Sequence, residues 1–247
     1  MKAEPVLELK GVHAAYGRID VLFGVDLVVP ARSVVALLGP NGAGKTTTLR
    51  IACGQIRPTQ GCVHVAGKHV NGADPDALSR AGVCTIPEGR GIFANLTVDE
   101  NLTMMTYTGA TLGQIRERAF SRFPRLAERR EQIAGTMSGG EQQMLAMARA
   151  LATDPALLLL DEISMGLAPL IVAELYEAVR NIAADGVAIL LTEQYARTAL
   201  QVADYAAIMT QGRVRSVGEP ADIGAELSGA YLGGHGEAKR SRDRAKR

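Results

Sequence analysis

Eight residues constrain this chain more than anything else in it. Gly39-Pro40-Asn41-Gly42-Ala43-Gly44-Lys45-Thr46 fits the spacing G-x-x-x-x-G-K-[ST], directly after the apolar run Val34 to Leu38 and before a segment that reads as helix. Glycines let successive backbone N–H groups turn toward one centre, and the N-terminus of the following helix adds the positive end of its dipole. A loop built this way wraps a polyphosphate. Lys45 is placed to reach the β- and γ-phosphates, and Thr46 to ligate Mg²⁺. A plain glycine turn between strand and helix would need neither residue.

The rest of the chain supplies the body such a loop needs. Fully buried parallel strands read as unbroken aliphatic runs. Five occur: Val34 to Leu38, Val83 to Ile86, Leu157 to Leu160, Val187 to Leu191 and Ala206 to Met209. Amphipathic stretches lie between them, as in Gly140 to Ala152, where Met144, Met147 or Ala148, and Leu151 recur at helix spacing. The expected class is α/β, with a mostly parallel core sheet and helices on both faces. Val6 to Val12 and Val21 to Val29 differ in texture and read as strands joined through a Tyr16-Gly17 turn, a small N-terminal antiparallel β subdomain. From about 89 to 150 no strand pattern appears, and Thr97 with Glu100 fits a capping box, so this stretch reads as an inserted helical subdomain.

The charge balance narrows the function. With 27 Lys plus Arg against 26 Asp plus Glu, the net charge of +1 argues against a nucleic-acid binder. The last thirteen residues, 235–247, carry six basic and two acidic side chains, a charge of +4 that leaves −3 on residues 1–234. They read as a disordered basic tail, with attraction to anionic lipid headgroups available to it. Cys53, Cys62 and Cys84 form neither a CxxC pair nor an even set, which points to a reducing compartment. Glu4 and Pro5 stand where a signal peptide needs its apolar segment, and no apolar run approaches the roughly 20 residues that span a bilayer. A cytoplasmic chain is expected.

Two further strings carry chemistry. Leu157 to Leu160 delivers Asp161 and Glu162 to a strand end, where open α/β sheets bind ligands. Asp161 suits a Mg²⁺ shell, and Glu162 can act as general base or water-orienting group for in-line hydrolysis. Alone, such a run is more often a strand meeting a polar turn, and the glycine loop upstream in the same chain reverses that balance. Met137-Ser138-Gly139-Gly140-Glu141 opens a helix, with Ser138 and Glu141 spaced for a capping box.

Taken in order, these elements resemble the ATP-binding cassette (ABC) ATPases, over residues of about 6 to 234. Ser138-Gly139-Gly140-Glu141 then corresponds to the signature usually written LSGGQ, with Met137 for Leu and Glu141 for Gln. The resemblance implies one cassette over residues 1–234 with ATP and Mg²⁺ as ligands. Gly39 through Thr46, together with Thr47, would hold the phosphates, and Ser138, Gly139, Gly140 and Glu141 would meet the nucleotide of an opposing subunit in a head-to-tail dimer. It implies that Tyr16 stacks on adenine, though a hairpin-turn tyrosine is the plainer alternative. Glu88 falls at the Q-loop position that senses Mg²⁺, Gln194 at the switch position usually held by histidine, and Ala168 at the D-loop aspartate. Gln194 could instead cap the helix that follows.

Within the family, IPEGR, IFANLTVDENL, TMSGGEQQMLAMARAL, GLAP, TEQ and Tyr231-Leu-Gly-Gly are similar to the smaller of two paired ATPase subunits of branched-chain amino acid importers. The partners implied are a second ATPase subunit, self or paralogue, integral-membrane permease subunits, and indirectly an extracytoplasmic solute-binding protein. The implied location is peripheral, on the inner face of the cell membrane. Urea or short-amide importers and soluble non-transport ABC ATPases are the alternative readings, and a cassette that has lost hydrolysis is another. Ile163 replaces the usual proline after Glu162 and Met165 the usual leucine. Without proline's fixed φ, a looser Glu162 and slower hydrolysis are expected.

Overall fold

Strand alternation sets the architecture, which a computed structural model describes for residues 5–89 and 91–227. The chain opens with β1 (Pro5–Tyr16) and β2 (Ile19–Pro30), an antiparallel hairpin closing with Tyr16 opposite Ile19. Then come β3 (Val34–Leu38), α1 (Lys45–Ala52), β4 (Gln60–Val65), β5 (Lys68–His69), α2 (Pro75–Arg80) and β6 (Val83–Ile86). Next are the helices α3 (Val98–Thr103), α4 (Leu112–Arg122), α5 (Pro124–Glu128) and α6 (Gly139–Leu151). The chain continues through β7 (Leu157–Asp161), α7 (Pro169–Ala184), β8 (Ala188–Glu193), α8 (Ala196–Ala199), β9 (Tyr205–Thr210) and β10 (Arg213–Gly218).

Two sheets result. The smaller runs β2-β1-β4-β5 and the larger β10-β9-β3-β8-β7-β6. In the larger, β9, β3, β8, β7 and β6 are mutually parallel, and β10 joins antiparallel at the edge. All five aliphatic runs are therefore strands of one sheet.

Successive side chains of a strand point to opposite faces, and the core divides accordingly. Val34, Ala36, Leu38, Leu158, Leu160, Ile189 and Leu191 face α6, α7 and the inserted helices. Val35, Leu37, Leu157, Leu159 and Leu190 face α1 and the smaller sheet. Leu157 through Leu160 are wholly buried, each worth about 1.5–3 kcal/mol of burial. Both faces are covered, so the central strands contain no alternation for a sequence reader to use.

Three strands were not foreseen. In β4 and β10 buried or half-buried positions alternate with more exposed ones, and β5 is two exposed residues long. Between β6 and β7 the insertion is helical, as expected. Thr97–Glu100 and Ser138–Glu141 both form reciprocal capping boxes, and Thr111–Gln114 forms a third. The insertion grips α7 through the ion pairs Arg122–Asp185 and Arg125–Glu174. Among the described residues no helix is long and apolar enough to cross a membrane. The basic tail and Tyr231 lie outside the described residues.

Candidate functional site

Parallel strands end on one side of their sheet, and the site gathers where β3, β8 and β7 end side by side. Register places Leu38 opposite Glu193 and Thr192 opposite Asp161. The loop after β3 and the carboxylates after β7, 115 residues apart for Thr46 and Asp161, are thereby brought together.

The first loop is shaped by its glycines. Gly42 and Gly44 sit at φ +79° and +107°, a region costly for other residues. A Cβ on Gly44 would stand 2.8 Å from Leu22 and 2.9 Å from Met209, so this position accepts glycine on two counts. No side chain caps α1, which leaves its first N–H groups facing the loop. Lys45 is buried, its ammonium donating to the carbonyls of Gly39 (2.9 Å) and Pro40 (3.3 Å) and standing 3.1 Å from Glu162 Oε1.

Across from it, the Thr46 hydroxyl is 3.2 Å from Asp161 Oδ1, which also accepts from the Thr192 hydroxyl at 2.6 Å. A hydroxyl and a carboxylate oxygen meeting at the mouth of a phosphate-sized loop are the hard donors Mg²⁺ takes alongside phosphate oxygens and water. The residues present therefore fit that ion. A cavity of about 250 Å³ is lined by Asn41, Gly44, Thr46, Thr47, Glu88 and Glu162. Glu88 and Glu162 also border a neighbouring cavity of about 450 Å³ that reaches Gln143 and Met165.

The remaining expected residues are spread around this centre. Tyr16, half exposed at the end of β1, accepts a hydrogen bond from Arg50 of α1 at 3.2 Å. Its ring thus stands beside the helix that carries Lys45. Gln194 is exposed, one residue past β8, and the Gly39 N–H donates to the carbonyl of Glu193 next to it at 3.4 Å. Tyr195 is the N-cap of α8, with no side-chain cap bond. The capping alternative for Gln194 therefore fails.

Ser138, Gly139 and Gly140 line neither cavity. They begin α6, where a Cβ on Gly140 would lie 2.2 Å from Ile171 of α7. Glu141 closes the capping box its spacing from Ser138 predicts. Its Oε2 accepts from the Ser138 N–H (2.9 Å) and hydroxyl (2.8 Å), and its Oε1 lies 2.7 Å from Arg129. Burial works against ionisation, but these bonds and Arg129 outweigh it and hold the carboxyl below the usual range. Glu141 shapes the helix start.

Glu162 is held in an unusual way. Its φ is +47°, left-handed for a non-glycine residue, a conformation costing about 1–3 kcal/mol that persists only where surroundings over-determine it. Its N–H donates to Thr192 O at 3.1 Å, and its carbonyl accepts from Met165 at 3.2 Å. Ile163, which follows Glu162 in place of proline, is 3% exposed and packed into the core.

Two residues of the site were missed: Thr192, which meets Asp161 and Glu162, and Glu193. Glu193, the last residue of β8, is 1% exposed. Its Oε1 accepts from the Ser164 N–H (3.1 Å) and the Tyr176 hydroxyl (2.8 Å), and its Oε2 from the Ser164 hydroxyl (2.7 Å). Burial pushes its carboxyl up despite these bonds, with Glu162 adding to the rise, and burial likewise raises the Tyr176 hydroxyl. The available signal was an acid ending an otherwise apolar strand, AILLTE.

A glycine loop holding a buried lysine, opposed by an Asp-Glu pair at the end of a parallel strand two places along the sheet, defines a P-loop nucleotide hydrolase. Residues 22–164 match the family described as ABC transporter, and the chain belongs to that family. Membership makes it an ATP-binding, ATP-hydrolysing cassette. It is 41% identical to the high-affinity branched-chain amino acid transport ATP-binding protein BraG of Pseudomonas aeruginosa, over 93% of this chain and all of that one. It is 35% identical to the probable branched-chain amino acid transport ATP-binding protein LivF of Archaeoglobus fulgidus, over 82% of this chain and 87% of the relative. The ADP conformation of an ATP-binding cassette of an ABC transporter shares the fold, with a TM-score of 0.82 at 23% identity, covering 94% of this chain and all of that one.

Proposed function

We propose that this chain powers an ABC importer for branched-chain amino acids, as one of two cassettes facing each other head to tail on the inner face of the membrane. The observation that carries this is the meeting of Lys45, Thr46, Asp161 and Glu162 at one point in a chain that spans all of BraG at 41% identity. Residues 1–234 form the cassette, the segment of about 89–150 is the helical subdomain that docks a separate permease chain, and 235–247 are the basic tail that follows in the sequence. An extracytoplasmic binding protein delivers the solute to that permease.

In this reading ATP lies along the first loop, with its γ-phosphate replacing Glu162 beside Lys45. Tyr16 stacks on adenine. Thr46 and Asp161, with Glu88 nearby, would hold Mg²⁺, which would neutralise charge on the phosphates. Glu162 accepts the proton of a water whose oxygen bonds to the γ-phosphorus opposite the ADP oxygen, so that the bond to that oxygen breaks and ADP departs in line. Gln194 donates an amide hydrogen bond to the γ-phosphate, and it cannot become cationic as histidine can. The opposing subunit's copy of Ser138, Gly139 and Gly140 closes over the same phosphate with N–H groups at a helix start.

Glu162→Gln keeps size and hydrogen bonding but removes the base. It is expected to bind ATP and lower turnover of the assembled transporter by about 100-fold or more. Normal turnover would reject the role. Deleting the chain should reduce accumulation of labelled leucine, isoleucine or valine at low external concentration. Normal uptake of all three alongside lost urea uptake would move the proposal to another solute.

A further inference from the structure

The buried carboxylate of Glu193 lies one strand away from Glu162, and the catalytic reading leaves it without a task. A carboxylate inside a sheet is costly unless it is fully bonded, and a strand end next to four apolar residues does not need one. What it does touch is specific. All three of its hydrogen bonds come from the polypeptide that follows Glu162: two from Ser164, two residues on, and one from Tyr176 in α7.

That polypeptide is the one whose backbone is strained. Glu162 at φ +47° is anchored upstream by its own N–H on Thr192 O and downstream by the Met165 N–H on its carbonyl. Both of these are backbone bonds, and neither fixes the segment against β8 beyond Glu162 itself. Ile163 anchors it by packing, and Ser164 anchors it to Glu193 through both its amide and its hydroxyl. Through its own carbonyl, Glu193 also receives the N–H of Gly39, the first residue of the phosphate loop. One residue therefore ties the start of the loop that holds Lys45 to the bend that aims Glu162.

We propose that Glu193 is a positioning residue for hydrolysis: its side chain fixes the bend after Glu162 at the distance from the phosphate loop that in-line attack requires. The inference rests on the reading of Glu162 as the base. Displacing a reacting group by about 1 Å costs on the order of 100-fold in rate, whereas Glu193 meets the nucleotide-binding loop through its backbone carbonyl, which every variant of the side chain retains. The signature of the role is thus a loss in kcat with nucleotide affinity retained.

The test compares three variants of the full chain in the assembled transporter, reading Mg²⁺-dependent ATP turnover, affinity for a fluorescent ATP analogue and thermal midpoint. Glu193→Leu fills similar space and leaves no buried charge but accepts nothing; kcat should fall about 10- to 100-fold with analogue affinity within about twofold of wild type. Glu193→Gln can keep all three contacts, its carbonyl accepting from Ser164 and Tyr176 and its amide donating to the Ser164 hydroxyl; kcat should recover to within about threefold of wild type. Ser164→Ala, which removes only the hydroxyl contact, should lower kcat about threefold. Wild-type kcat in Glu193→Leu would overturn the proposal. So would an equal loss of affinity, or a Gln variant as impaired as the Leu variant, since charge and not position would then matter. If Glu193→Leu fails to fold, Ser164→Ala and Glu193→Gln decide alone: an unaltered Ser164→Ala or a Gln variant reduced more than tenfold overturns it. Glu162→Gln, measured alongside, separates the two readings. Normal turnover there sinks the base assignment itself, whereas lost turnover there with normal Glu193→Leu sinks only the positioning role.

Discussion

The loops after β3 and after β7 both bring charge to the same point, yet they hold strained backbone by different means. After β3, left-handed conformations fall on Gly42 and Gly44, so the loop's shape is stored in the residues that form it. After β7 a left-handed conformation falls on Glu162 as well as on Gly166, and at Glu162, which has a side chain, it is held by the packing of Ile163 and by Thr192 and Glu193 of β8. The first loop carries its shape in its own glycines and binds; the second takes its shape from neighbouring side chains and aims. Damage to the first should therefore remove nucleotide affinity, and damage around the second should remove rate alone.

Lys45→Ala should break the first loop most severely, with affinity for an ATP analogue and turnover both lost by about 100-fold or more, in contrast to the rate-only loss expected of Glu162→Gln. Retained affinity would erase the distinction between the loops. Gly44→Ala tests whether the shape is stored in the backbone: strained φ and contact with Leu22 and Met209 should cost about 1–3 kcal/mol, read as a thermal midpoint lower by roughly 2–4 °C per kcal/mol and weaker analogue binding. An unchanged midpoint would show that the loop tolerates a side chain there. Gln194 stands between the two loops, beside Gly39 through the Glu193 carbonyl. Loss of one neutral hydrogen bond is worth about 0.5–1.5 kcal/mol, so Gln194→Ala should lower turnover roughly 2- to 10-fold with affinity nearly intact; identical ATPase rates would remove it from the site. The smallest effect is at the far end of the second loop. Ala168 is the N-cap of α7 and offers no side-chain acceptor. Ala168→Asp should raise stability by about 0.5–2 kcal/mol, seen as a higher thermal midpoint, and a lower one would mean that the cap geometry is not open to aspartate.

The same contrast governs what could be read from the sequence. Lys45, Thr46, Asp161 and Glu162 were legible because the glycine loop is a local pattern and the parallel strands are apolar runs buried on both faces. The capping boxes at Thr97 and Ser138 were legible because four consecutive residues contain them. β4 and β10 were not, since Gln60–Val65 and Arg213–Gly218 mix polar residues into short strands, a pattern shared with loops. Nor could spacing reveal that Glu141 turns toward Arg129, 12 residues earlier in the chain, or that Glu193 reaches Ser164 and Tyr176. The first role exists only once α6 packs beside Arg129, and the second only once strand order places β8 next to β7.

That strand order also governs how the protein can come into being on a ribosome. β3 is made early, but both of its neighbours in the sheet, β8 and β9, emerge about 150 residues later. Contacts so distant in sequence form slowly. A chain halted before residue 188 would carry the complete glycine motif with no wall for β3 to lie against, no Thr192 to meet Asp161 and no Glu193 carbonyl for Gly39. Nucleotide, binding only the finished arrangement, would stabilise completed chains over partial ones by mass action, so that the substrate itself selects for molecules whose synthesis has run past β8.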